Sequence, residues 1–549
     1  MTEIPEGETR AFGDHAVLVG TRDATQARTV SRRVLAHWNE GEVVVGLRTV
    51  MLRAESLDAV IRAHSVIADV LAFTANASEE DEVGPLATIR CAFDGPDLEE
   101  AAEAADVAPD ELIDLLTGVT LSVAMVGFSP GFAYLSGLPE PLQRIGRRSR
   151  PRPQVPAGSV AVANGHAAVY PSTSPGGWHL LGRSDAAMFD PNCPPYARLS
   201  AGDRVRFEHV LEVDPPPGPT TAAWTPSEGA TPLFTVLAPG LRSVRQDGGR
   251  TGVAGVGVPR AGPADPDWFR LANRLVGNPD QAGALEVTAA GPTLRAEGDG
   301  FIALVGLPSA TLDGQPVAAG RVVPVRTNQV LACGPLRWGL RAYLGVAGGL
   351  LGPQLFGSLS SDQLSGLGPG PLVAGERLYV GPLTPPLGDH LDGGAVLPRE
   401  TPVVVRVVAG PHAEWFVPEA LEQLRHTAFD VIEPSNRVGV RLRPRAARPS
   451  LRRAESLGWE LQSLPMVDGA IQVPPAGEPV VLLTDHATHG GYPVIAVVVR
   501  VDLGRLGQLA PGDDVVLQPI TLDAARQLEV EGGRILERAV VGHHPLAVE

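Results

Sequence analysis

Six segments concentrate the residue types that do chemistry. The first, VGFSPGFAYLSGLP (126–139), sets Phe128, Phe132 and Tyr134 around a Pro130–Gly131 turn. Such a turn serves either as a tight corner with its rings in a core or as a rigid aromatic lip at a pocket mouth. The second, YPSTSPGGWHLLGR (170–183), carries Tyr170, Gly176, Gly177, Trp178 and Arg183. Successive backbone N–H groups in a Gly-Gly turn can form an anion-binding nest, with Arg183 supplying charge; a plain hairpin is the alternative. The third, LRSVRQDGGRTGVAGVGVPRAGPADPDWFRLANRLVGN (241–278), gathers Asp247, Arg250 and Asp265 among glycines. Its GVAGVG run meets Pro259 and not a helix, which excludes a dinucleotide-binding loop. Glu286 in ALEVTAAGP and Asn436–Arg437 in PSNRVGVRL come next. Asn beside Arg suits a carboxylate held by parallel hydrogen bonds, and surface ion pairing is the alternative. Last, TDHATHGGY (484–492) holds Asp485, His486 and His489. His-x2-His with a carboxylate matches no strong zinc signature, and no metal site is expected from it.

Composition narrows the chemistry further. Forty-five basic residues against 62 acidic ones give a net charge of −17, which disfavours nucleic acid and anionic membranes as partners. All 45 basic residues are arginine. Schiff-base, P-loop-lysine and biotinyl-lysine chemistry are therefore excluded, and any cation in a site is Arg or His. Three cysteines at 91, 193 and 333 form no spacing motif, so neither a disulfide framework nor a zinc site is expected. The absence of a leader-like segment or a long apolar run leads to the expectation of a cytoplasmic protein.

Gly 63 and Pro 52 break the 549 residues into many short pieces, which fits strands and tight turns rather than long helices. The first hundred residues alternate: strand 15–21, helix 24–38, strand 42–53, helix 56–74 capped by Ser56, and strand 87–94. Two acidic helices follow near 97–105 and 109–117. Beyond residue 120 short β-type runs dominate until a C-terminal helix, TLDAARQLEVEGGRILERAV, expected to break at Gly532–Gly533. A repeat is visible: VPxG or VPPxG, strand, Gly-Gly-aromatic, strand, then small-Gly-Asp and a closing strand. It spans 155–207 and 473–517, with a fainter copy from 341 to 381. The expected fold is α+β and mainly β. The three copies suggest three related β-barrels: a small N-terminal α/β domain (1–118) precedes a first barrel (119–213), a Pro-rich linker (214–231), a second barrel unit (232–385) and a third with the C-terminal helix (386–549).

These motifs also carry a resemblance. GFSPGFAYLSGLP, PRPQVPAGSVAVA and YPSTSPGGWHLLGR resemble the first-subunit domain of the allophanate hydrolase/5-oxoprolinase family. QDGGRTGVAGVGVPRAGPAD, LANRLVGN, RAYLGVAGG, SNRVGVRL and AIQVPPAGEPVVLLTDHATHGGY resemble its second-subunit domain, so two usually separate proteins look fused. The pair also resembles the carboxyltransferase half of urea carboxylase and the Kip-type pair that regulates a histidine kinase. The resemblance implies cyclophilin-like barrels. It implies ATP-dependent opening of 5-oxoproline to glutamate, with Mg²⁺ and a separate LamB/YcsF-type subunit. The alternatives it offers are a biotin-dependent carboxyltransferase for a urea- or amide-like substrate and a non-catalytic kinase inhibitor. The expected site lies between the first barrel and the second-subunit domain. Phe128, Tyr134, Tyr170 and Trp178 would shape it. Arg152, Arg183, Arg250, Arg437, Asn436, Gly176 and Gly177 would hold carboxylate or phosphate. Asp265, Asp247 or Asp485 would act as base or hold Mg²⁺. Leu116, Leu359 and Ala487 stand where the family pattern has His, Arg and Gln.

Overall fold

The computed structural model describes residues 4–74, 84–218, 224–306, 308–336, 339–383, 385–386, 390–391, 401–445 and 461–541. The N-terminal sheet has strands Thr9–Ala11, Ala16–Gly20, Thr49–Ala54 and Gly41–Val45 in that order, all antiparallel. Helices Ala24–His37 and Leu57–Thr74 cover it. The β-branched run 42–53 is two strands, not one. It folds at Gly46–Arg48, where Gly46 N–H donates to Thr49 C=O at 2.7 Å. Ser56 caps the second helix through the N–H of Ala59.

Two closely similar barrels follow, at 86–209 and 403–519. Numbering each unit's seven strands along the chain, both have the cyclic order 1-7-2-3-5-4-6. In both, strands 1 and 7 run parallel: Leu86–Cys91 with Arg204–His209, and Val403–Ala409 with Asp514–Pro519. The later barrel is closed by its ladders. The earlier one closes through a single bridge between Ala92 and Arg183. Its first strand, Leu86–Cys91, therefore lies in the sheet formed by residues beyond 119. Alternating apolar residues fill each interior: Ile89, Val123, Leu135, Val160 and Phe207 in one, Val405, Leu442, Ile471 and Leu517 in the other.

The repeated small-Gly-Asp signature has a local cause. Gly202, Gly375 and Gly512 all have φ between 84° and 99°, where a side chain is strained. The acid that follows accepts a hydrogen bond from the N–H three residues earlier. Ser200 donates to Asp203 at 2.7 Å, Val373 to Glu376 at 3.1 Å, and Ala510 to Asp513. In the middle unit the topology around this turn differs. Its strands form two sheets, and the closing strand Arg377–Val380 is antiparallel to Thr231–Ala238.

The C-terminal helix Leu522–Arg538 runs unbroken through Gly532–Gly533, contrary to the expected interruption. Thr521 caps it by accepting from Ala524 N–H at 3.2 Å. A Cβ on Gly532 would sit 3.3 Å from Val501, so this glycine allows the helix to lie against the last barrel. Each glycine costs a helix interior roughly 1 kcal/mol, too little to end it when the helix is packed. Among the described residues no helix is long and apolar enough to cross a membrane.

Candidate active site

Three motif loops meet where the two halves of the chain touch. Gly131 N–H donates to Val256 C=O at 2.9 Å, and a Cβ on Gly257 would lie 2.4 Å from Ser129 C=O. A Cβ on Gly127 would strike the His489 ring at 2.0 Å. His489 is buried, bonds Val45 C=O at 2.9 Å and Thr488 Oγ1 at 3.1 Å, and is pushed down to about 4 by burial. His486 turns elsewhere, bonding Ala487 C=O at 2.7 Å and lying 3.5 Å from Asp468. The two histidines thus serve separate partners.

Behind this junction lies a buried ionic network. Arg437 holds Asp485 through Nε and Nη2, each at 2.9 Å, Glu286 at 2.5 Å and Gly262 C=O at 2.6 Å. Glu286 also accepts from Tyr343 Oη at 2.8 Å and Ala264 N–H at 2.9 Å, with Arg341 at 3.3 Å. Burial pushes the Glu286 carboxyl up, but Arg437 and Arg341 outweigh it and hold it low. The network is a clamp on loop 261–265, because Thr484 Oγ1 also donates to Ala261 C=O at 2.7 Å, and Asp265 N–H donates to Tyr343 Oη at 2.8 Å.

The clamped loop presents Asp265 to a cavity of about 770 Å³. His15 and Arg53 come from the N-terminal domain, Arg260 and Trp268 from the second unit, Asp468 and Arg500 from the third. Glu529 on the C-terminal helix completes the wall. Further polar ties around the cavity draw the N-terminal domain onto the rest. Glu42 accepts from Gly252 N–H at 2.9 Å, Glu55 takes Arg260 through two bonds of 2.8 and 3.0 Å, Asp14 accepts from Arg500 N–H at 2.9 Å, and Arg53 lies 3.6 Å from Asp468. Asp265 caps the helix Pro266–Leu275 through Trp268 N–H at 3.1 Å and accepts from Gln508 Nε2 at 2.8 Å. Burial, then the charge of Asp267, pushes its carboxyl up to about 7. Burial likewise raises Asp267 and Glu529. Asp468 goes the other way: burial opposes, but the His486 bond and nearby Arg53 and His15 hold it well below the usual range. A buried carboxyl exchanging its proton near neutrality, in a cavity of ligand size, is equipped for acid–base work.

The other candidates from the sequence take different places. Asp247 is occupied by a loop: Leu359 N–H at 2.7 Å, Ser360 Oγ at 2.7 Å, Gly249 N–H at 3.0 Å and Ser358 Oγ all donate to it. Leu359 itself is buried. Arg250 is fully buried and donates to Ser360 C=O through Nη2, while Nε and Nη1 have no partner. Asp362 nearby keeps Oδ2 unpartnered and is pushed up to about 6 by burial and by Asp485. Asn436 closes a hairpin turn through Val438 N–H at 2.8 Å. Arg152 is paired with Asp97 through bonds of 2.7 and 2.8 Å, and Arg183 with Asp94 at an exposed edge. Ser174–Gly176 is an extended strand paired with Arg152–Val155, so the expected nest is not formed there. Tyr134, Tyr170 and Trp178 surround Phe132 at 5.1–5.6 Å as a buried cluster, and only Phe128 of the aromatics reaches solvent. Leu116 is in the helix Pro109–Gly118, inside the first barrel's core. None of these first-barrel residues lines the cavity.

The N-terminal contributions belong to no motif in the sequence. Glu42 and Arg53 are both about 6% exposed, and they pair with each other. A Glu and an Arg inside an apolar β-run are the available signal. Tyr343 and Arg341 are visible in the sequence only as part of a repeat.

Two family models divide the chain along this architecture. Residues 8–199 match the carboxyltransferase domain, subdomain C and D, and residues 256–519 match subdomain A and B. The chain belongs to the carboxyltransferase-domain family. It is 32% identical to the C component of 5-oxoprolinase from Escherichia coli (strain K12) over 310 residues, 56% of this chain and 97% of that protein. Within the first half it is 44% identical to the B component of 5-oxoprolinase from Bacillus subtilis (strain 168) over 120 residues, 22% of this chain and 50% of that protein. Urea amidolyase of Saccharomyces cerevisiae is 33% identical over 320 residues, 54% of this chain but only 17% of that much longer protein. Among solved structures, TTHA0988 aligns with a TM-score of 0.80 at 32% identity, covering 93% of this chain and 100% of its own. The urea amidolyase of K. lactis aligns at 0.52 and 31%, over 58% of this chain and 20% of that one. Family members thus carry both arrangements: two halves matched by separate proteins, and the same architecture along one chain.

Proposed function

We propose that this chain is the fused B and C components of an ATP-dependent 5-oxoprolinase-type amidohydrolase. It would open 5-oxoproline to glutamate with a separate LamB/YcsF-type subunit. The observation that carries this reading is the composite cavity: walls from both halves around one carboxyl that titrates near neutrality. Hydrolysis of a lactam adds water to the ring carbonyl carbon and breaks its C–N bond. The proton lost by water must reach the ring nitrogen as it leaves. Asp265 is suited to take that proton and return it, since its affinity lies close to ambient pH. ATP, when bound, supplies the phosphoryl group that activates the lactam oxygen. Arg250, with Nε and Nη1 buried and unpartnered, is the arginine left to meet an anionic group of that kind, from outside the lining of this cavity, whereas Arg152 and Arg183 are already neutralised by carboxylates. Asp247 and Asp485 are engaged by the loop and by Arg437, and among the described residues no cluster of three or more His, Cys, Asp or Glu side chains is placed to hold Mg²⁺.

The test is phosphate release from ATP by the purified chain, with and without 5-oxoproline and the third subunit. Release that requires 5-oxoproline is expected. A folded chain that releases none in any combination would sink the assignment. The likeness to urea amidolyase favours a second reading, carboxyl transfer to a urea- or amide-like substrate. With no lysine in the chain, biotin would have to arrive on another protein, and activity abolished by avidin would select that reading.

A further inference from the structure

We propose that Gln508 is the positioning residue for Asp265, reaching from the third unit into the second to orient its carboxyl and hold it in the proton-accepting form. The inference rests on Asp265 as the acid–base group of the cavity. It comes from how the Gln508 amide is anchored. Its Oε1 accepts from two consecutive backbone N–H groups, Leu340 at 3.2 Å and Arg341 at 3.0 Å. That fixes which end of the amide faces which way, because a flipped amide would set its NH₂ against two donors. Nε2 is left to donate to Asp265 Oδ2 at 2.8 Å.

The approach depends on glycines at three points. A Cβ on Gly339 would lie 2.8 Å from Gln508 Oε1. One on Gly504 would lie 2.6 Å from Asp265 Oδ1, and one on Gly507 would lie 2.1 Å from Ala264 C=O. The short helix Leu503–Gly507 therefore seats against loop 264–265 and delivers Gln508 at its end.

Several charges act on the same carboxyl and must be separated from this bond. Asp267 on the adjoining helix opposes ionisation of Asp265. Tyr343 accepts the Asp265 N–H and passes its own proton bond to Glu286, beside Arg341. Arg500, Asp502 and Arg505 line the cavity from the third unit, where Asp502 is bonded to Arg406. Across the cavity stand Glu529, His15 and Arg53. None of these is altered by changing the atom that Gln508 turns toward Asp265. Gln508→Glu keeps an oxygen for the two backbone donors and replaces only the N–H facing Asp265 with an acceptor. The two carboxyls would then share a proton, so Asp265 would hold its proton to higher pH.

Trp268, beside Asp265 at the cavity wall, reports this without substrate. Its fluorescence would be titrated from pH 5 to pH 9 in the full chain, with a Trp268→Phe variant subtracting the other tryptophans. The wild type should show an inflection near neutrality that Asp265→Asn abolishes. Gln508→Glu should move it upward by about one pH unit or more. Gln508→Met, which loses the donor without adding charge, should move it upward by less and decides the matter if the Glu variant fails to fold. An inflection that stays in place or falls in the folded Gln508 variants, or that survives Asp265→Asn, overturns the proposal. Because no substrate is present, a failure here is distinct from a failure of the 5-oxoprolinase assignment. If 5-oxoproline turnover is established, the low-pH limb of its rate profile should shift with the fluorescence.

Discussion

The first and last barrels share a strand order, a parallel closing pair and an Asp-capped glycine turn, yet their outer surfaces could hardly differ more. Outside the first, Phe132 packs against Tyr134, Tyr170 and Trp178 in a ring cluster with edge-to-face contacts. Beside the last, Arg437 and Asp485 are buried and Asp468 is half-buried, under the second unit and the N-terminal domain. The interiors of both barrels are apolar and alike in kind. Chemistry therefore resides in what each barrel turns outward and in what covers it. Rings need only be packed. Charges excluded from water need partners, and those partners draw three units together around one cavity.

The comparison breaks most visibly if one centre from each barrel is removed. Phe132→Ala should cost about 3–5 kcal/mol by leaving a cavity among the rings. Arg437→Met should cost a similar ~3–5 kcal/mol for the opposite reason, stranding Asp485 as a buried charge without its arginine and leaving Glu286 with Arg341 alone. Urea denaturation measures both. The discriminating result is salt and pH dependence: weak for the Phe132 loss, marked for the Arg437 loss. A Phe132 variant as pH-sensitive as the Arg437 variant would contradict the distinction.

Next in size is the pH response of Asp265. Its folded value, about 7, lies above the ordinary 3.8, so the folded chain binds the extra proton. The resulting stability is fully present below the unfolded value and is lost as pH rises through about 7. The loss is on the order of 4 kcal/mol. Asp265→Asn keeps a good helix cap without the titration. Its melting temperature relative to wild type should therefore climb between pH 5 and pH 8. Asp362, raised to about 6, shares part of this window and should leave some slope in the variant's own profile, which cancels in the difference from wild type. A difference in melting temperature that is flat across the range would remove Asp265 as the titrating group.

Smaller effects sharpen the first barrel's side. A Cβ on Gly176 would meet Tyr170 Oη at 2.2 Å, whereas the nearest atom to one on Gly177 is 3.7 Å away. Gly176→Ala should cost about 1–3 kcal/mol through overpacking, and Gly177→Ala a few tenths at most. Equal losses would mean that the glycine pair serves something other than ring packing. A small change of the opposite sign belongs to the C-terminal helix beside the last barrel. Gly533 is mid-helix with open space at its Cβ, so Gly533→Ala should stabilise by about 0.5–1 kcal/mol in a thermal melt.

Much of this is legible in the chain. Of the three related barrels that the repeat copies forecast, the first and last share one topology, and their glycine and acid positions set the turns locally. The fainter copy keeps the turn at Gly375–Glu376 but not the parallel closing strand, since pairing direction depends on which distant strand lies alongside. Asp265, Arg250, Asp485 and Arg437 are recognisable as chemical residues, but their division of labour is not. Arg152 and Arg183 have the look of anion clamps, yet Asp97 and Asp94, far off in sequence, neutralise them. His15, Arg53 and Gln508 carry no motif at all.

The sequence by itself determined what neighbours in the chain can settle: the glycine turns, the capped helices, the alternating apolar faces that close each barrel, and the exclusion of lysine chemistry. Tertiary structure alone decided which charges are partnered, which are stranded and which carboxyl faces a cavity. The reason is physical. Backbone strain and side-chain alternation act over a few residues, whereas desolvation and Coulomb pairing depend on surfaces that meet only after the units dock.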